Sequence, residues 1–451
     1  MESPTENLIK RGVAGFIDPD GSFLKKIKEN PEKVVIKFGV DPTRPDIHLG
    51  HSAVLRKLRQ FQELGCKVVF LVGDYTTKIG DPTGKSKVRP EIDQKEIEKN
   101  MKTYLDQVGK ILKTDKKVFS WIRNSDWFLS SADIEPKDGV LVRILNRGIN
   151  PRSFVGKAIL FSETRMQRKN LNKNEILSVT LTSFLSTLRK ITHAKLIERD
   201  MFQDRIKKGE ELYMHEMMYP VLQAVDSYVI HKLYGSCDLE IGGTDQTFNM
   251  LLGRDVMRDN KQNPQSVMSM SILVGLDGKE KMSKSLDNYI AITDEPGNMY
   301  GKVMSIPDSA IPSYFELCTY TPIEKVEEIK KQLSGGEVNP RDLKMELARQ
   351  IVSEYHGEKM AQKAEEDFVK KFQKGEVPEN TETLEIKDVS KIKDILIEKG
   401  VATSKSELKR LFDGGGVTNI ETKEKASTPE DLKNGVYKFG AKTFLKIDIK
   451  Q

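Results

Sequence analysis

The spacing of hydrophobic and polar positions changes several times along the chain, and the changes divide it. "KVVIKFGV" (33–40) and "KVVFLVGDYT" (67–76) are short apolar, β-branched runs of the kind buried strands use. An amphipathic helical stretch follows each, one from about Gly50 and one near 95–112, and "KKVFS" (116–120) closes the alternation. Strand, helix and strand in succession predict a parallel, doubly wound α/β sheet. The N-terminal segment before it reads as helical. Beyond the sheet the pattern predicts helices near 176–190, 195–208 and 213–226, a strand at "CDLEIGG" (237–243) and a helix after "TDQTFN". Residues 298–372 are helical almost throughout, broken at "SGGEVNP", and "QKGEVPENTETLEIKD" has the Gly, Pro and polar content of a linker. The expected organisation is an α/β unit at 1–265, an α-helical unit at 266–372, a linker at 373–385 and a small α/β unit at 386–451.

Composition narrows the class. A length of 451 residues implies more than one core, and 37% hydrophobic with 31% charged residues is the balance of a soluble globular protein. No apolar run approaches the roughly 18 residues of a membrane span. "MESPTENLIKRGV" has neither the basic start and apolar stretch of a secretory signal nor an Arg-rich transit pattern, so a cytoplasmic location without membrane attachment is expected. Cys66, Cys237 and Cys318 are far apart and odd in number, which argues against disulfides and against a thiolate metal site; no protein-held metal is expected. A net charge of +6 is too mild to announce nucleic acid by itself.

Candidate chemistry lies first at "DPTRPDIHLGH" (41–51), where a strand gives way to a helix. A helix N-terminus leaves N–H groups unpaired and suits phosphate. Gly50 leaves room for a close approach, and His48 and His51, three apart, share one face and can donate to phosphate oxygens as charge develops. Alone, such a four-residue match is an ordinary helix start. Its counterpart is "GLDGKEKMSKSLDN" (275–288), a glycine-containing loop with Lys279, Lys281 and Lys284 that can close over a triphosphate.

The pair, an HIGH-like "HLGH" and "KMSKS" in that order, resembles the class I aminoacyl-tRNA synthetases. "KFGVDPTRPDIHLGH", "VGDYTTKIGDPTGKSKVRP", "YPVLQAVDS" and "IGGTDQTFNMLLGRD" narrow the resemblance to the bacterial type of tyrosyl-tRNA synthetase. The resemblance makes the α/β unit at 1–265 a Rossmann-like catalytic domain, and implies an α-helical anticodon-binding domain and an S4-like RNA-binding tail. It also implies tyrosine activation with ATP, Mg²⁺ accompanying the nucleotide, transfer to tRNA, and a homodimer.

By resemblance, Thr43, His48, Gly50 and His51 contact ATP, and Lys281, Lys284 and Ser285 belong to the loop that holds departing pyrophosphate. Asp245 matches the ribose-binding carboxylate, Gly243 the backbone beside the nucleotide, and Lys85 and Arg89 a second loop over the pyrophosphate. Asp81, Tyr219 and Gln223, with Thr76 nearby, match the α-ammonium site, Gln246 a further contact to the amino acid, and Asp226 the acceptor of the phenolic hydrogen bond. Lys37 departs from the family pattern, which places a tyrosine there; a lysine could pair with Asp226 or donate to the phenol oxygen. In the tail, Lys405, Lys409 and Arg410 match an RNA-facing edge. Tryptophanyl-tRNA synthetase shares both class motifs, but "GDPTGKS", "GGTDQ" and the S4-like tail disfavour it; intact His48, His51, Lys281 and Lys284 argue against a catalytically dead RNA-binding paralogue.

One segment has no counterpart in the family pattern. About 40 residues are inserted near 131–173, and from 137 to 173 nine Lys and Arg stand against two Asp and Glu. Added contacts to RNA phosphates through Arg143, Arg147, Arg165 and Arg168 are the expectation for it, with a dimer-stabilising or merely solvated loop as the alternative.

Overall fold

The alternation at the start of the chain becomes a six-stranded sheet. A computed structural model describes residues 8–82, 92–128, 179–373, 381, 383–386, 392–402, 404–420, 422–440 and 443–450; the basic insertion, Lys85 and Arg89 lie outside them. The elements that build the site are, in chain order, β1 (Val13–Ile17), β2 (Val35–Val40), α1 (Leu49–Glu63), β3 (Lys67–Val72), α2 (Gln94–Val108), β4 (Phe119–Arg123), α3 (Met214–Tyr234), β5 (Leu239–Gly243), α4 (Thr247–Asp259) and β6 (Ser266–Met270).

Sheet order is β1-β6-β5-β2-β3-β4, with β1 antiparallel to β6 and every other pair parallel. From β2 the chain moves outward to β3 and β4, and then returns on the other side with β5. The junction of β2 and β5 is therefore the point where strand order reverses, and the crevice beyond the C-terminal ends of these strands is where open α/β sheets bind ligands. One face of the sheet packs Val69, Leu71 and Ile122 against Trp127 and the buried Leu222, Val225 and Val229 of α3. A second cluster joins α3 to α4 through Met217, Val221, Leu252 and Val256.

Several expectations shift. The N-terminal segment contributes strand β1 as well as helix, because "VAGFI" gains a ladder partner in β6 that no local pattern reveals. The strand β6, "SVMSM", was not foreseen either; it begins at 266, directly after the expected end of the catalytic unit. "DYT" at the end of the second run is helical, within Asp74–Ile79. There the Asp74 carboxylate turns away from the sheet to accept Ser125 N–H at 3.0 Å and Ser125 Oγ at 2.6 Å. The helix expected at 195–208 is two, His193–Ile197 and Asp200–Lys208, and α3 continues past residue 226 until Gly235 ends it in a left-handed conformation at φ 83°.

The described residues form two compact units, one within 1–294 and 305–347, the other within 295–304 and 348–451. In the second, helices Pro296–Met304 and Glu358–Gln373 pack together, with Tyr300 and Phe368 rings 5.3 Å apart. The same unit holds a four-stranded sheet, ordered β7 (Thr383–Ile386), β10 (Thr443–Ile449), β9 (Gly435–Phe439), β8 (Val417–Asn419). β7 falls in the stretch read as linker and is tied down by parallel pairing with β10. Helices Ile392–Glu398 and Lys405–Asp413 cover this sheet through Leu396, Leu408 and Phe412. The helix, glycine turn and strand order expected of the tail is present.

Candidate active site

A cavity of about 780 Å³ opens at the β2/β5 switch point. Its lining brings together Lys37, Thr43, His48, Gly50, His51, Thr76, Asp81, Tyr219, Gln223, Asp226, Gly243, Asp245, Gln246, Lys281 and Lys284. Residues separated by more than 200 positions thus share one wall. Ser285 follows Lys284 in the same loop, and its side chain is outside the description; Lys405, Lys409 and Arg410 are exposed on a helix of the other unit.

One end of the cavity begins where α1 does. His48 precedes the first turn, and the His48 and His51 rings stack with centroids 3.9 Å apart. A side chain at Gly50 would press on the His48 ring at 3.0 Å, so glycine keeps that ring in place. Burial, reinforced by the positive charges of Lys284 and Lys281, pushes His48 down to about 3; His51 is lowered too, by burial and then by His48. Both imidazoles are neutral at ordinary pH, able to donate one N–H each without adding charge. His48 Nδ1 is buried without a hydrogen-bond partner among the described residues.

The lysines of the second motif are held across this end. Lys281 Nζ pairs with Asp245 at 3.0 Å. Lys284 Nζ donates to Tyr104 Oη at 2.8 Å and to the Arg44 carbonyl at 3.2 Å. Burial is the main cause that brings Lys284 down to about 8, with Asp46 opposing and Arg44 assisting.

The far end is built on β2, β5 and α3. Tyr219, Gln223 and Asp226 all lie on α3, and the seven-residue interval turns Tyr219 and Asp226 to the same cavity. Asp226 accepts from Trp127 Nε1 at 3.0 Å and from Asn124 Nδ2 at 3.5 Å. Burial raises its pKa to about 7, against the opposing pull of Lys37. Lys37 does not bond Asp226. It stands directly across the ladder from Glu240 and pairs with it at 2.9 Å, both side chains 3% exposed or less. Its remaining N–H groups go to the Gln223 carbonyl at 2.8 Å and Ser227 Oγ at 2.9 Å. An ammonium has three donors, and these three partners use them.

Between the ends runs a chain of polar contacts. Gln223 Nε2 donates to Glu240 at 3.2 Å, Asn249 Nδ2 donates to Gln223 at 2.9 Å and to Gln246 at 3.0 Å, and Gln246 Nε2 donates to Asp81 at 2.8 Å. Arg199 lies 3.7 Å from Asp81. Thr76 Oγ1 and Tyr219 Oη both donate to Asp41, at 2.8 and 2.9 Å. A Cβ on Gly73 would fall 2.1 Å from Asp41 Oδ1, so glycine there admits the carboxylate. Sequence reading passed over Asp41, Tyr104, Asn124, Trp127 and Glu240. Asp41 stood inside a quoted motif, whereas Glu240 gave no signal beyond an acidic residue in an apolar strand.

One part of the cavity wall carries Asp41, Asp81 and Asp226, beside a Glu240 already paired with Lys37; two neutral imidazoles and two lysines, one of them paired with Asp245, stand at the other end. Carboxylates suit an amine and a hydroxyl; the lysines and imidazole N–H groups suit phosphate.

The profile of the tRNA synthetases class I (W and Y) matches residues 29–373. A tyrosine–tRNA ligase of Thermotoga maritima is 42% identical over 91% of this chain and 88% of its own length. Tyrosine–tRNA ligase 2 of Vibrio cholerae is 38% identical over 98% of both chains. In fold, the chain is similar to the C-terminally truncated mitochondrial tyrosyl-tRNA synthetase of Aspergillus nidulans, with a TM-score of 0.58, 21% identity, and coverage of 82% of this chain and 95% of that one. It is also similar to the tyrosyl-tRNA synthetase of Archaeoglobus fulgidus, solved with L-tyrosine, with a TM-score of 0.55, 21% identity, and coverage of 80% and 100%. With the profile covering most of its length and bacterial relatives matching it nearly end to end, the chain belongs to the class I tRNA synthetases of the W and Y group.

Proposed function

We propose that this protein is a tyrosine–tRNA ligase whose single cavity activates tyrosine with ATP and then passes the tyrosyl group to the 3′ end of tRNA(Tyr). The observation that carries the reading is the joining of both class motifs to Asp226 across one switch-point cavity. The phenol of tyrosine donates to Asp226, which Trp127 and Asn124 hold from behind. The α-ammonium meets Asp81, Tyr219 and Gln223, with Thr76, Gln246 and Asp41 completing that region. Lys37 acts beneath this end, fixing Glu240 and α3 so that Asp226 faces the ligand.

ATP lies at the other end, its ribose toward Asp245 and Gly243 and its phosphates toward Thr43, Gly50, His48 and His51. The tyrosine carboxylate attacks the α-phosphorus in line; the bond to the β-phosphate oxygen breaks and pyrophosphate leaves with that electron pair. Neutral His48 and His51 donate hydrogen bonds to the developing charge, and Lys281, Lys284, Lys85, Arg89 and Ser285 receive the pyrophosphate. The side-chain work is positioning and charge placement, with no protein nucleophile. Asp245 is already paired with Lys281, and Asp41 is engaged by Thr76 and Tyr219. Mg²⁺ arriving with ATP would be held by the phosphates rather than by a protein cage and would supply neutralising charge there.

The tail grips RNA through Lys405, Lys409 and Arg410, which extend from one exposed helix. Exposed Leu181, Leu185 and Met214 in the catalytic unit, with Leu181 at 74%, support a homodimer. No helix among the described residues is long and apolar enough to cross a membrane; the enzyme works in the cytoplasm, where tRNA is charged. Charging of tRNA(Tyr) with labelled tyrosine by the intact protein tests the function: tyrosine is incorporated and tryptophan is not. Incorporation of tryptophan instead would assign the other branch of the family.

A further inference from the structure

Helix α2 carries a polar stripe at helical spacing, Asn100, Thr103, Tyr104 and Gln107, and the stripe faces the catalytic loops. Asn100 Nδ2 donates to the Pro42 carbonyl at 3.0 Å, and Thr103 Oγ1 and Gln107 Nε2 donate to the Pro45 carbonyl at 2.6 and 2.7 Å. Gln107 Oε1 accepts the Ile47 N–H at 2.7 Å. Three of the four side chains thus fasten the segment that leads into His48. The fourth does something else. Tyr104 is 1% exposed and forms part of the cavity wall, and its hydroxyl accepts the Lys284 ammonium from the other motif at 2.8 Å. A phenylalanine would fill the same space, so the hydroxyl exceeds what packing requires, and a buried hydroxyl is costly unless bonded.

We propose that Tyr104 is a positioning residue for adenylate formation: its hydroxyl, with the Arg44 carbonyl, seats Lys284 at the nucleotide end of the cavity. Because the same helix holds the approach to His48, α2 sets the spacing between the two catalytic segments. The loop that carries Lys284 then closes with its charge already aligned, and less ordering remains at the moment of reaction. The proposal rests on the reading that Lys284 meets pyrophosphate.

The experiment is single-turnover tyrosyl adenylate formation by the full-length protein, with wild type, Tyr104→Phe, Lys284→Ala and the double variant, alongside the dissociation constant for tyrosine. Tyr104→Phe is expected to be about tenfold slower, the effect of losing one hydrogen bond to a charged group, with tyrosine affinity unchanged. In the Lys284→Ala background the same change is expected to cost nothing further. A Tyr104→Phe variant at the wild-type rate would overturn the proposal. So would an equal loss in both backgrounds, or a parallel loss of tyrosine affinity, which would make Tyr104 a packing residue. The wild-type rate with tyrosine reports separately on the functional reading.

Discussion

The two ends of the cavity are made differently. The proposed nucleotide end is a set of loops and helix starts: stacked imidazoles before α1, a glycine beside them, and two lysines borne on one loop, Lys281 paired with Asp245 and Lys284 seated by Tyr104. The proposed tyrosine end is made of side chains on regular elements, with Lys37 and Glu240 paired across β2 and β5 and locked to α3. Loops suit an end that must adjust as charge shifts, and side chains locked to sheet and helix suit an end that reads a shape. Binding ATP needs the first property; telling tyrosine from a near neighbour needs the second.

The largest effect is expected at the rigid end. Glu240→Gln leaves the Lys37 ammonium buried without its counter-charge, and urea unfolding should register a loss of about 3–5 kcal/mol. Adding Lys37→Met should recover most of it, whereas a single-variant loss below about 1 kcal/mol would mean the pair is no anchor. Next comes the loop-built end, where Lys284→Ala should slow adenylate formation roughly 10²–10³-fold while the KM for tyrosine stays nearly constant. A rise in that KM with little change in rate would erase the distinction between the ends. Asp226→Ala should narrow the ratio of kcat/KM for tyrosine over phenylalanine by about 10- to 100-fold, since the hydroxyl loses its buried partner. An unchanged ratio would move hydroxyl recognition to another group.

The smallest effect is a pH response. Burial lowers Lys284 to about 8, so its ammonium is present below that pH and lost above it. The kcat/KM for ATP should therefore fall to roughly half its plateau near that pH and continue downward as pH rises. Lys284→Ala should abolish this limb, and its persistence would assign it to a different group. His48 and His51, both held low, should contribute no limb between roughly pH 5 and 7.

The same contrast explains what could be read without coordinates. Loops that bind phosphate need glycine, lysine and histidine at close spacing, so "HLGH" and "KMSKS" were legible and their meeting in one cavity followed. The βαβ order and the helical interval from Tyr219 to Asp226 were legible for the same reason, being local periodicities. Contacts across the sheet were not. Lys37 and Glu240 are 203 positions apart in sequence and become neighbours only through the β2/β5 register, so Lys37 appeared to be an anomaly in need of Asp226. Strands β1 and β6 are five residues each and owe their conformation to ladder partners distant in sequence, β6 for the first and β1 with β5 for the second. Tyr104 sat inside an amphipathic helix, where a buried aromatic residue is ordinarily core, and only its bond to Lys284 sets it apart.

Exchange of labelled pyrophosphate into ATP, without tRNA, asks whether the two ends act on one substrate. The account predicts exchange by the intact protein that depends on tyrosine, is not supported by tryptophan or phenylalanine at equal concentration, and is lost in Lys284→Ala. Exchange that proceeds equally well with tryptophan, or none with tyrosine from a folded protein, would contradict it.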